Sequence, residues 1–94
     1  MHVIRSFKCS DTKGPFETGS STRFSSIERT ATRKLAVLNA AESLGFLRAP
    51  PGNRLEALRC DRRGLHSIRI NDRWRLCFRW TGLGPEDVEI VDYH

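Results

Sequence analysis

The stretch Trp74-Arg75-Leu76-Cys77-Phe78-Arg79-Trp80 decides the fold. Trp74, Leu76, Phe78 and Trp80 share one parity, and Arg75, Cys77 and Arg79 share the other. Side chains alternate across a strand with period two, so this is a strand with one apolar and one basic face. The apolar face carries both tryptophans of the chain and makes the floor of a core. The basic face is offered to something acidic.

Strand signals continue on both sides. Asn71-Asp72 supplies a tight hairpin connection back to a strand at 65–70. Asp61-Arg62-Arg63-Gly64 has Asp first and Gly last, as a type I turn prefers, and precedes it a strand at 54–59. On the other side, Gly82-Leu83-Gly84-Pro85 is a loop and 87–93 a last strand. Closely spaced strands with short turns pair antiparallel.

The residues before the sheet divide into three parts. Residues 3–9 are an edge strand, β-branched at first. Residues 11–22 contain Gly14, Pro15 and Gly19 and read as a mobile loop, because Gly-Pro breaks regular structure. Residues 25–41 are a helix. Ser25 and Glu28 fit a capping box, and Ile27, Ala31, Leu35 and Leu38 form one stripe at helical spacing. That stripe is expected to pack on the Trp74 to Trp80 face, with Arg29, Arg33 and Lys34 off its centre. A further helical turn is expected at 43–47, and Pro50-Pro51-Gly52 ends it. The expected architecture is α+β: one helix laid across a small, mainly antiparallel sheet.

At 94 residues the chain is one domain. No apolar run approaches the ~18 residues that span a bilayer, and the first residues hold no long apolar segment of a signal peptide. Cys9, Cys60 and Cys77 are odd in number and form no CxxC, which points to a reducing cytoplasm. Of sixteen basic residues three are lysines (Lys8, Lys13, Lys34), leaving thirteen arginines, the residue suited to bidentate contact with phosphate. Eight of them fall at 54–79, against Glu56, Asp61 and Asp72. From Gly82 onward the charged residues are Glu86, Asp87, Glu89 and Asp92. A basic centre beside an acidic end suits a polyanion handled by a site containing carboxylates. A solvated basic face on a small domain fits the same composition.

The sequence ends Asp92-Tyr93-His94, three proton-handling residues in a row. Beside Arg75 and Arg59 they would make a metal-free site for cutting a phosphodiester. One group takes the ribose 2′-OH proton, another protonates the 5′-oxygen, and arginine stabilises charge on the phosphorus oxygens. The histidines and cysteines show no zinc-ligand spacing, and no phosphate-binding Gly-rich loop is present.

These motifs resemble a known family. Pro50-Pro51-Gly52-Asn53-Arg54-Leu55-Glu56-Ala57-Leu58, Asp61-Arg62-Arg63-Gly64, the stretch 67–78 with its Trp74-Arg75 pair, and Val88 through His94 are similar to the HigB branch of the RelE-type toxins. So is Arg33-Lys34-Leu35 in the helix. The resemblance implies a microbial-RNase-like fold and a ribosome-dependent mRNA endonuclease that cuts in the A site by 2′-OH attack without metal or other cofactor. It also implies a helix-turn-helix antitoxin partner. By position Arg75 corresponds to the family's phosphate-stabilising arginine, and Asp92, Tyr93 and His94 to its active-site tripeptide. Arg59 stands where relatives often have lysine. Arg29, Arg33, Lys34, Arg62, Arg63 and Arg79 are the expected contacts to RNA and ribosome. Glu56 stands where some relatives have histidine, and Cys60 where glycine is common. A non-catalytic RNA-binding module, or a protein-interaction module, fits the residues alone.

Overall fold

The computed structural model describes residues 3–8, 10–18, 24–48, 51–58 and 64–92. Its sheet has four antiparallel strands in the order β1-β2-β3-β4: Glu56–Ala57, Leu65–Arg69, Trp74–Thr81 and Gly84–Asp92. The meander expected from the short turns is present. Asn71 closes the first tight hairpin: its Oδ1 accepts from the backbone N–H of Arg73 (2.9 Å) and of Trp74 (2.8 Å). An Asx side chain here stands in for a backbone carbonyl and fixes the register.

Two strands differ from expectation at their ends. The strand expected at 54–59 pairs only at Glu56–Ala57 within the described residues. Arg54 lies at φ 45, in the left-handed region that extended backbone does not visit. The loop expected at 82–85 contracts to Gly82-Leu83, and Gly84 and Pro85 join β4 opposite Thr81 and Trp80. Thr81 Oγ1 donates to the Gly84 carbonyl (2.7 Å) and accepts from the Leu83 N–H (3.1 Å), so a side chain closes the turn. Pro85 brings no donor, but its carbonyl accepts from Arg5 N–H at 2.7 Å.

That bond belongs to the N-terminal segment, which runs along the outer edge of β4. In place of a regular edge strand there is one parallel bridge, Phe7 with Val88. Gly84, at φ 126, passes so close to Val3 that a Cβ would collide with the Val3 carbonyl. Covering β4 in this way occupies an edge that would otherwise template pairing with another chain.

Residues expected as a loop form helix α1, Ser10–Thr18, with Gly14 and Pro15 inside it. Local breaker chemistry gives way here to tertiary contact. Thr12 is fully buried and its Oγ1 accepts the N–H of Ile90 (3.0 Å), while Phe16 lies 5.5 Å from the Phe7 ring. Residues 19–22 of that expected loop lie outside the described residues.

Helix α2 is Glu28–Ala40, preceded by a tight 3-10 turn at Ser25–Ile27. The expected capping box is absent. The helix cap falls on Ile27, without a side-chain hydrogen bond, because the 3-10 turn moves the cap position two residues beyond Ser25. The stripe is as read: Ile27, Ala31, Leu35 and Leu38 are all buried, against β3 and β4. Phe24 edges onto the Trp74 ring at 5.4 Å. Leu76, Phe78, Ile68, Val88 and Ile90 complete the core from the sheet. Each such side chain contributes about 1.5–3 kcal/mol by leaving water. Another 3-10 turn follows at Leu44–Arg48.

A bulge in β4 sets which residues face the helices. Cys77 pairs with Glu89 but Arg79 pairs with Glu86, so three residues of β4 span two of β3. Asp87 takes up the extra residue at φ 52. Beyond it Ile90 lies opposite Leu76 and Asp92 opposite Trp74, on the helix-covered face. Ser67, Arg69, Arg75, Cys77 and Arg79 share the other face.

Candidate active site

The β2–β3 register puts Arg69 directly opposite Arg75. Like charges so placed repel, and each guanidinium is drawn to its own acceptors. Arg69 pairs with the exposed Asp72 in the hairpin. Arg75 lies down on the sheet, only 7% exposed. Its Nε donates to Ser67 Oγ (2.8 Å), and its Nη2 donates to the carbonyls of Arg54 (2.6 Å) and Ser67 (3.3 Å). Nη2 also stands 3.1 Å from Glu56 Oε1. The basic face expected to be open is therefore closed at its centre, where Ser67, Arg75 and Cys77 are buried.

An open cavity of about 290 Å³ lies above this arrangement, lined by Arg54, Glu56, Arg69, Asn71, Asp72 and Arg75. Three arginines against two carboxylates leave the cavity positive, sized for a phosphate with part of its sugar. Two of its members were legible in principle. A hairpin centred on Asp72 pairs residue 69 with residue 75, so Arg69 follows from counting. Glu56 shares Arg75's face because it pairs with Ser67 across β1–β2. Arg54 has no such signal, because its left-handed backbone comes from the chain path after the 3-10 turn at Pro51–Asn53.

The structure does not bring Asp92 to Arg75. Asp92 is at the end of β4 on the helix side, where its Oδ2 accepts from Arg73 Nε (3.0 Å). The Arg73 guanidinium in turn covers the Trp74 ring at 5.1 Å. Arg59, Arg62, Arg63, Tyr93 and His94 lie outside the described residues. Arg29 and Arg33 are exposed on α2, and Arg79 is exposed on the far face beside a second cavity that Lys8, Cys77 and Glu89 also line. Among the described residues no cluster of three or more His, Cys, Asp or Glu could hold a metal ion. No described helix is long and apolar enough to cross a membrane.

Lys34 lines a third cavity, with Arg33, Val37 and Asn53. Its Nζ donates to Asn53 Oδ1, and Asn53 is buried and anchored through Nδ2 to the Leu47 carbonyl (3.2 Å). Burial, then the charges of Arg33 and Arg69, hold the Lys34 pKa below its ordinary value. Lys34 thus feels the charge of Arg69, which lines the Arg75 cavity.

His66 stacks on Phe78 (6.3 Å, 21°) on the opposite face, and its buried Nδ1 has no partner among the described residues. Burial lowers its pKa from the usual 6.5. The unfolded chain thus binds a proton that the folded chain resists, so stability is greater above 6.5 and falls as pH drops through the folded value. His66→Leu is expected to narrow the gap between melting temperatures at about pH 8 and about pH 5. An unchanged gap would assign the acid sensitivity to other groups.

The match to known proteins bears on this site. The model of HigB-like toxins, described as the RelE-like toxin of the type II toxin–antitoxin system HigB, matches residues 6–94. Toxin HigB-1 of Vibrio cholerae serotype O1 is 50% identical over 57 residues, 61% of this chain and 60% of that one. An uncharacterized protein of Haemophilus influenzae is 36% identical over 56 residues, 60% of this chain and 55% of that one. The aligned part thus spans somewhat over half the length of each relative. With the family model covering nearly all of the chain, helix pair and Arg75 cavity included, the chain belongs to the HigB-like family of RelE-like toxins of type II toxin–antitoxin systems.

Proposed function

We propose that this protein is a ribosome-dependent mRNA endonuclease with a microbial-RNase-like fold, acting in the cytoplasm and held in check by a helix-turn-helix antitoxin. The observation that carries the reading is that Arg69 and Arg75, at opposite register positions of β2 and β3, line one positive cavity. Two arginines facing one cavity suit a phosphate, whose oxygens accept charge-assisted hydrogen bonds from both. Arg75 is anchored on three sides, so it needs no reorganisation as charge develops on the phosphorus oxygens.

In this reading mRNA in the ribosomal A site is cut by attack of a 2′-OH on the adjacent phosphorus. The products are a 2′,3′-cyclic phosphate and a 5′-OH. Side chains handle both protons, so the reaction requires no metal. His94 and Tyr93 serve at the leaving 5′-oxygen, Arg59 adds positive charge, and Asp92, tied to Arg73, fixes the end of β4 from which they follow. Arg29, Arg33, Lys34, Arg62, Arg63 and Arg79 bind ribosomal and messenger RNA through phosphates, a contact that weakens with salt.

Among the described residues no aromatic side chain lines the cavity to stack a base, so the ribosome positions the substrate. Purified protein mixed with a translating extract is expected to yield mRNA fragments with 5′-OH ends, mapped by primer extension. Naked mRNA is expected to stay whole. Equal cutting of both would sink the ribosome dependence, and RNA binding without cutting in either would leave a binding module.

A further inference from the structure

We infer that the cavity between α2 and the turn at Pro51–Asn53 docks an acidic segment of the antitoxin, one with an apolar side chain among its carboxylates. The inference rests on the reading above for the existence of that partner and is independent of the cleavage chemistry.

The sequence of α2 sets up the surface. Arg29, Arg33 and Val37 follow at four-residue spacing and form one row along the helix, with Lys34 beside Arg33. The buried stripe of Ala31, Leu35 and Leu38 holds the opposite side against the sheet, so the row faces outward. Arg29 and Arg33 are exposed, and Lys34 and Val37 are half-buried. Glu28, the acid of this helix, lies off the row.

The cavity measures about 270 Å³ and is lined by Arg33, Lys34, Val37 and Asn53. Its floor is fixed. Asn53 is 1% exposed, its Nδ2 donates to the Leu47 carbonyl (3.2 Å), and its Oδ1 accepts from Lys34 Nζ. An ammonium has three donors, and among the described residues Asn53 takes one of them. Glu56 and Asp72 line the Arg75 cavity, and Asp87 and Glu89 line the Cys77 cavity. Among the described residues no carboxylate lines this one. Lys34 also feels the charges of Arg33 and Arg69. A carboxylate inserted by a partner offsets that repulsion and accepts charge-assisted hydrogen bonds.

Val37 favours a peptide over a nucleic acid. A sugar–phosphate backbone is held by cations and brings no apolar group to this wall. A peptide buries an apolar side chain against Val37 while its carboxylates meet Arg33 and Lys34. The occupant covers cations that the reading above gives to the ribosome. Antitoxin and ribosome then exclude one another, and the toxin is silenced with the Arg75 cavity left empty.

The test titrates the toxin with the purified antitoxin encoded beside it, using wild type, Arg33→Glu, Val37→Ala and Arg5→Glu, each with its melting curve. Arg33→Glu sets an acid against the acidic segment and is expected to weaken binding by about 10²-fold or more. Val37→Ala removes two methyl groups of covered surface, about tenfold in affinity. Arg5→Glu makes the same change in net charge as Arg33→Glu, but at the outer edge of β4. Ile4 N–H beside it donates to Asn39 Oδ1 (2.9 Å), on the other side of α2 from the row, so Arg5→Glu is expected to bind as wild type does. Equal weakening by Arg5→Glu and Arg33→Glu would make the attraction one of net charge and overturn the site. An Arg33→Glu affinity within about threefold of wild type, with ribosome binding lost, would make the cavity an RNA surface and overturn it too. Weakening by Arg33→Glu without any by Val37→Ala removes the apolar anchor on which the choice of a peptide rests. Wild type that binds no antitoxin sinks the partner itself, an outcome distinct from variants that bind as tightly as wild type.

Discussion

Arg75→Ala is expected to lower single-turnover cleavage on programmed ribosomes by about 10²–10³-fold, the usual cost of removing a charge that stabilises a transition state. It is also expected to destabilise the domain, and here the structure changes what parity alone suggests. A residue facing away from Trp74 and Leu76 reads as one whose loss leaves the core untouched. In fact the guanidinium is 7% exposed, and it satisfies the Ser67 and Arg54 carbonyls. Each buried acceptor left without a donor costs about 1–3 kcal/mol. Arg54 compounds the loss, because its left-handed backbone at φ 45 stores strain and the Arg75 bond helps hold it. In a domain of this size each kcal/mol lowers the melting temperature by about 4–8 °C. Arg75→Lys separates the two roles: it keeps the charge and loses the fork. Assays run well below each variant's melting temperature should show Arg75→Lys partly active and Arg75→Ala nearly inactive. Full activity in a folded Arg75→Ala protein would remove Arg75 from catalysis and leave it structural.

The same residue shows where the sequence was informative and where it was not. Period two in 74–80 located the central strand and the core floor, because a half-buried strand leaves a strict mark. The helical stripe of α2 was equally plain, since a buried face repeats at 3.6. What failed were readings from single residues. Gly14-Pro15 signals a break, yet Thr12 on Ile90 and Phe16 against Phe7 hold α1 together around it. Ser25 and Glu28 match a cap by spacing, but a 3-10 turn displaces the helix start. The local preference overridden is about 3 kcal/mol at Pro15 and about 1 kcal/mol at the Ser25 cap.

The site divides in the same way. Arg75 could be found because it stands in the patterned strand and in a family motif. The bulge at Asp87 could not, because one extra residue in β4 follows from its fit to β3 and to Ser6, whose Oγ accepts the Asp87 N–H (2.9 Å). That bulge decides that Asp92 faces the helices together with Ile90. Glu56 could be placed from the strand expected at 54–59, of which Glu56–Ala57 pairs with β2 among the described residues.

Deleting His94 is expected to abolish ribosome-dependent cleavage without unfolding the protein, the largest effect relative to the size of the change. Among the described residues β4 runs to Asp92, which pairs with Trp74 and is held by Arg73. The melting temperature of the deletion is expected to be nearly that of wild type. The leaving 5′-oxygen needs a proton donor, and among His94, Tyr93 and Arg59 the imidazole is the side chain type that exchanges a proton near neutral pH. An acid–base group contributes about 10²–10⁴-fold, so the loss is readily measured. The comparison is single-turnover cleavage by wild type, the one-residue deletion and His94→Gln, each with its melting curve. Gln can donate a hydrogen bond but not a proton, so it should fail almost as badly as the deletion. If His94→Gln retains most of the rate while the deletion does not, the residue orients the phosphate rather than protonating it. If both cut within about threefold of wild type, His94 leaves the mechanism and Tyr93 becomes the candidate donor.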